Sequence, residues 1–112
     1  CRKICKETGG SVNLCEDVME GTKDADVLYT DVWLSMGEDQ SMWEERIKLL
    51  SPYQVNMDVV KNAKDNVIFL HCLPAVKGQE VTEDVIEGKQ SKVWEQAENR
   101  KHTIKAIMLG LI

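Results

Sequence analysis

Val67-Ile68-Phe69-Leu70-His71-Cys72-Leu73-Pro74-Ala75 is the stretch whose reading decides the fold. Its first four residues are short, bulky and apolar, and they follow the polar turn Lys64-Asp65-Asn66, so they read as a buried strand. Pro74 has no backbone N–H with which to continue a ladder, so the strand must stop close to His71 and Cys72. In an open α/β sheet, ligands bind at the carboxyl ends of the strands. A histidine and a thiol at such an end mark a candidate site.

Working outward, a second apolar run ends in the same manner. Asp26-Val27-Leu28-Tyr29-Thr30 leads into Asp31-Val32-Trp33-Leu34-Ser35-Met36-Gly37-Glu38. This places a carboxylate at a strand end, followed by a loop with a hydroxyl, a thioether and a glycine. If the two strands lie side by side and parallel, Asp31 and Cys72 open into one crevice.

The remaining chain supplies the alternation of helices and strands expected of a parallel sheet. Cys1–Thr8 reads as the end of a helix stopped by Gly9-Gly10. Ser11–Cys15 is a short strand candidate, and Asp17 caps a brief helix that ends at Gly21. Ser41 and Glu44 form a capping box for a helix with Trp43, Ile47 and Leu50 on one face, ended by Pro52. Asn56 or Ser51 caps the next helix, with a stripe of Met57, Val60 and Ala63. Beyond His71, Thr82 caps a short helix closed by Gly88, and Ser91–Glu95 is a last strand candidate. A final helix beginning at Glu98 or Asn99 is apolar on more than one face towards Ile112, so it must pack against something large.

With 112 residues the chain has room for one domain, and 43% apolar content is enough for a core. A net charge of −5 without a basic run argues against a nucleic-acid partner or an anionic membrane surface. No apolar run approaches the roughly 18 residues of a membrane span. Cys1, Cys5, Cys15 and Cys72 have irregular spacing and read as free thiols of a reducing compartment, the cytoplasm. The opening in mid-pattern, without methionine, suggests a fragment or isolated domain.

Several chemistries compete for these residues. A His71–Cys72 nucleophile and base is disfavoured, because neighbours on extended backbone point to opposite faces. A metal site is not expected: Cys1 and Cys5 could share a helix face, but no second pair has zinc-ligand spacing. His102 reads as a solvated or capping residue, and Trp33, Trp43 and Trp94 as core or rim aromatics. Asp31 is a poor strand residue, and it serves either as a turn or cap aspartate or as a receptor for a substrate ammonium. Arg100 could offer the complementary charge to an anionic group, though arginine at such a place is often a surface residue.

Three motifs in order carry a resemblance over essentially the whole chain. They are Asp31 to Glu38, His71 to Ala75, and Glu98-Asn99-Arg100-Lys101-His102-Thr103-Ile104-Lys105-Ala106, with Tyr53-Gln54-Val55-Asn56 between them. Together they resemble the ornithine carbamoyltransferases. The aspartate-specific relatives carry proline at the position of Cys72, and polyamine-specific ones differ in the Ser35-Met36-Gly37 loop. The resemblance implies a Rossmann-like α/β domain, a parallel sheet with flanking helices, present here in part. It implies that residues 1–112 belong to the ornithine-binding domain, with the last helix normally packing on an absent carbamoyl-phosphate domain.

The implied reaction is carbamoyl transfer from carbamoyl phosphate to the side-chain amine of L-ornithine, giving citrulline and phosphate. By the same resemblance, Asp31 and Ser35 hold the ornithine α-amino end, with Met36 in the closing loop. Cys72 lies beside the attacking amine, and the Leu73 carbonyl accepts from the carbamoyl NH₂. Arg100 steadies charge around carbamoyl phosphate, and His71 has a supporting role. No metal or organic cofactor is implied, and the implied assembly is a homotrimer or a multiple of trimers. The family's Ser-x-Arg-Thr-Arg and His-Pro-x-Gln segments have no counterpart here, so residues 1–112 alone are expected to be inactive. Two other readings stay open: transfer to another amine such as putrescine, and a non-catalytic binding module.

Overall fold

The computed structural model describes residues 1–34, 37 and 39–112, with Gln40 described in its backbone only. The order of elements is α1 (Arg2–Thr8), α2 (Val18–Thr22), β1 (Val27–Thr30), α3 (Trp43–Leu50), α4 (Met57–Asn62), β2 (Ile68–His71), α5 (Glu83–Ile86) and α6 (Val93–Gly110). Short 3-10 turns at Gln40–Met42 and Ser51–Tyr53 bracket α3. The architecture is α/β, and β1 and β2 pair in parallel with Val27 opposite Ile68 and Thr30 opposite His71. Gln90–Lys92 runs along the far side of β2, where the Phe69 N–H donates to Gln90 O and the Lys92 N–H to Phe69 O. β2 is therefore the central element.

Alternation along the two strands sorts their faces. Leu28, Phe69 and His71 point into the core, where Val59, Val60, Val81, Val85, Ile86 and Val93 cover them. Tyr29, Ile68, Leu70 and Cys72 belong to the opposite face, which opens onto a groove beneath α6. A single residue of register slip would exchange the two sets, so the buried face fixes the register.

The helices begin and end for identifiable reasons. Gly9 takes φ 76°, the left-handed cap that stops α1. The Asp17 carboxylate accepts the Glu20 N–H to start α2, and Asn56 accepts from both Asp58 and Val59 to start α4. Asn62 then ties the two helices by donating to Met19 O and Thr22 Oγ1.

Five expectations need correction. Ser11–Cys15 is not a strand, because no strand among the described residues takes up its backbone groups. Ser41 does not cap α3; it sits in the 3-10 turn, with its own N–H donated to the Asp39 carboxylate. Thr82 occupies the N-cap position of α5, but its side chain makes no cap bond. The final helix starts at Val93 rather than Glu98, and Ser91 keeps only an isolated bridge to Phe69. Burying Val93 against the sheet outweighs its modest β preference and absorbs the proposed strand into the helix. No helix among the described residues is long and apolar enough to cross a membrane.

Candidate functional site

Asp31 follows directly on β1 and Cys72 directly on β2, so the parallel register carries them to adjacent positions on one face. The Cys72 Sγ–H donates to Asp31 Oδ1 at 3.0 Å, and the Val32 N–H donates to the same oxygen at 2.7 Å. These two donors hold the Asp31 carboxyl below the usual carboxylate range, the thiol contributing most. The thiol shifts the opposite way. Its hydrogen bond to Asp31 raises its pKa above the ordinary value, burial and the carboxylate charge add to the rise, and a hydrogen bond from Tyr29 opposes it. The proton between them stays on sulfur, and the carboxylate stays charged.

His71 turns away from this pair into the core. It is fully buried beside Glu80, with its Nε2 3.1 Å from Glu80 Oε1. Its Nδ1 accepts the Leu73 N–H at 2.8 Å, which fixes the tautomer: the ring proton sits on Nε2 and is donated to the carboxylate. Glu80 Oε1 also accepts the Val76 N–H at 2.7 Å, so one buried carboxylate anchors both sides of the loop. Leu73, between them, has φ 52°, a left-handed conformation that a leucine keeps only where its surroundings impose it. Asp31, His71 and Cys72 bring ligand-type atoms within 4.8 Å of one another. Both ring nitrogens of His71 are already engaged, however, so the three form a hydrogen-bonded turn and not a metal cage.

A groove of about 870 Å³ runs from Cys72 between the exposed sheet face and α6. Arg100 lines it at the same helix face as Gln96, with Asn99 and Thr103 further along. Of the residues singled out from the sequence, Asp31 and Cys72 meet directly, Arg100 lines the groove with Cys72, and Leu73 forms the turn beside it. Ser35 and Met36 lie outside the described residues. Trp94 is 60% exposed and so is not a core aromatic.

Three contributors escaped the sequence reading. Glu80, between Gln79 and Val81, looks like a turn residue; only its partner nine positions upstream reveals it. Tyr29 shares a strand face with Val27 and Asp31, so period-two alternation could have found it. Gln96 lies four residues before Arg100, on the same helical stripe, a signal lost when the helix is started too late.

Parallel strands, a polar pair at their carboxyl tips and a helix-walled groove define a ligand-binding α/β domain. Comparison with known proteins places it more closely: residues 1–111 match the family model described as aspartate/ornithine carbamoyltransferase, Asp/Orn binding domain, and the chain belongs to that family. It is 58% identical over 113 residues to an ornithine carbamoyltransferase of Thermotoga maritima, covering 100% of this chain and 36% of that protein. Among solved structures, the ornithine carbamoyltransferase of Pyrococcus furiosus superposes with a TM-score of 0.87 at 53% identity, over 95% of this chain and 34% of the other. The anabolic ornithine carbamoyltransferase of Campylobacter jejuni gives 0.89 at 36% identity, over 98% and 36%. The chain thus spans about a third of the length of these relatives.

Proposed function

We propose that the protein to which this chain belongs transfers the carbamoyl group of carbamoyl phosphate to the side-chain amine of L-ornithine, releasing citrulline and phosphate. The observation that carries this reading is the Asp31–Cys72 contact at the tips of two parallel strands, opening onto a groove that Arg100 lines. Asp31, kept anionic, holds the ornithine α-ammonium together with Ser35, and Met36 belongs to the loop that closes over it. The deprotonated side-chain nitrogen attacks the carbonyl carbon beside Cys72. A new C–N bond forms, the C–O bond to phosphate breaks, and phosphate departs with the electron pair. The surplus proton of the nitrogen passes to the departing phosphate.

The Leu73 carbonyl accepts from the carbamoyl NH₂, and Arg100 offsets charge on the carbonyl oxygen and the leaving phosphate. His71 and Glu80 fix the turn that presents Leu73. The exposed side chains of Ile104, Ile107, Met108, Leu109, Leu111 and Ile112 support the packing of α6 on a carbamoyl-phosphate domain. Assembly into trimers, as the family resemblance implies, and a cytoplasmic setting complete the proposal; four free cysteines support a reducing compartment.

The test is citrulline formation by the intact protein, assayed in parallel with ornithine, putrescine and aspartate as acceptors. Turnover confined to ornithine supports the reading. Preference for putrescine would replace the substrate, and binding without turnover on any acceptor would reduce the domain to a non-catalytic module.

A further inference from the structure

The Tyr29 hydroxyl and the Gln96 amide have no part in the transfer chemistry above, yet they stand beside the thiol. Gln96, in the first turns of α6, accepts the His71 backbone N–H on Oε1 at 3.0 Å. Its Nε2 donates to Tyr29 Oη at 3.2 Å. The first bond settles which end of the amide is oxygen, because a backbone N–H must meet an acceptor. The amide nitrogen therefore faces the tyrosine. Tyr29 Oη accepts from it and keeps its own proton to give elsewhere. Tyr29 precedes Asp31 by two residues on the same strand face, diagonal to Cys72 across the ladder and on the same groove wall.

We propose that Gln96 and Tyr29 are positioning residues which direct a hydroxyl proton onto the Cys72 sulfur, so that the thiol donates to Asp31 while accepting from Tyr29. The functional meaning rests on the proposed place of Cys72 beside the reacting amine; the hydrogen-bond chain does not. A sulfur held from two sides has one orientation, and a donor on it supports whatever negative charge it acquires. The tyrosine bond indeed works against the rise that Asp31 and burial cause in the thiol pKa. Other charged or titratable groups lie near the sulfur or line its groove. Asp31 lies on β1, His71 lies on the same strand as the thiol, and Lys92, Glu95 and Arg100 line the groove from α6. Substituting Tyr29 leaves all five in place.

The experiment is the pH dependence of Cys72 alkylation by iodoacetamide in the intact protein. It is resolved by peptide mass spectrometry, since Cys1, Cys5 and Cys15 are also free thiols. Tyr29→Phe should move the midpoint upward and slow alkylation at pH 8 by about three- to tenfold, one pKa unit corresponding to tenfold. Gln96→Glu offers the tyrosine an acceptor, so it should draw the hydroxyl proton away from sulfur and raise the midpoint too. In the Tyr29→Phe background that second substitution should add little. An unmoved midpoint in either folded single variant, or fully additive shifts, overturns the proposal. Shifts of the expected kind in a protein that does not carbamoylate ornithine leave the positioning chain standing and sink the substrate reading. Turnover with unmoved midpoints does the reverse.

Discussion

Asp31 Oδ1 and Cys72 Sγ lie 3.0 Å apart because each residue immediately follows the last of two parallel strands held in register. The contact is set by topology, so it persists wherever the Leu28–Phe69 pairing persists. Its first consequence is for thiol reactivity. Asp31→Asn removes the charge and the strongest cause of the raised thiol pKa. Alkylation of Cys72 at pH 8 should then accelerate by about three- to tenfold, on the scale of one pKa unit per tenfold. Unchanged alkylation would mean that the carboxylate does not hold the thiol proton.

The same bond has a pH window with two edges. The Asp31 carboxyl is depressed in the fold, so its contribution is present above the unfolded pKa and is lost as pH falls through the folded value. The Cys72 thiol is raised, so its contribution is present below the unfolded pKa and fades as pH rises through the folded value. At pH 9.0, where an ordinary thiol is half ionised, the Cys72 S–H should remain mostly protonated. Raman spectra of a variant with the other three cysteines replaced by serine would show the S–H stretch surviving at that pH. Its loss there would contradict the direction of the shift.

The buried pair makes a stability prediction. Glu80→Ala strips the acceptor from the buried His71 Nε2–H and from the part-buried Val76 N–H. Orphaning the buried His71 donor costs about 1–3 kcal/mol, and the part-buried Val76 N–H adds to it. Both bonds go to Oε1, so Glu80→Gln keeps an acceptor oxygen for them and should cost less than half as much. Thermal unfolding should drop by ~10 °C or more for the alanine variant, at several degrees per kcal/mol in a domain of this size. Equal losses for the two variants would indicate that packing, and not the hydrogen bonds, is what Glu80 supplies.

How much of this was legible in the sequence depends on whether the signal was local. Both strands follow from apolar runs that end in polar residues, which is information within a few positions. Their parallel pairing and the meeting of Asp31 with Cys72 enter the sequence reading as a condition, which the fold meets. The caps at Gly9 and Asp17 are local too, while for α4 the sequence leaves Asn56 and Ser51 open and the structure uses Asn56. The start of α6 was not legible, because Val93 and Trp94 look like strand residues until the sheet that buries Val93 is present. Glu80 was invisible for the same reason: its burial and its pairing with His71, nine positions upstream, exist only once the chain has folded. Tertiary burial decided what propensity left undecided.

Arg100 supplies a prediction about the leaving group. A guanidinium presents several donors in a fixed plane and meets phosphate or carboxylate oxygens in pairs, which a lysine does not. Arg100→Gln should lower kcat/KM for carbamoyl phosphate by ~10²-fold or more in the intact protein, the scale of losing one strong oxyanion donor. Arg100→Lys should recover only part of this, and the KM for ornithine should move less in both. Full recovery by lysine would show that charge alone is needed at this position of the groove.

The last prediction concerns residues 1–112 by themselves. The groove beside Cys72 is walled by the sheet face and α6, and Lys92 and Arg100 are the cations that line it among the described residues. A dianionic phosphate with a developing negative charge needs more fixed donors than these two side chains, one of which is held by Glu95 at 2.8 Å. The relatives of this chain are about three times as long, so the remaining donors are expected from segments beyond it. A polypeptide limited to residues 1–112 should therefore form no citrulline from ornithine and carbamoyl phosphate, while the intact protein does. Measured turnover by the 112-residue polypeptide would require that α6 and the strand tips bind both substrates unaided.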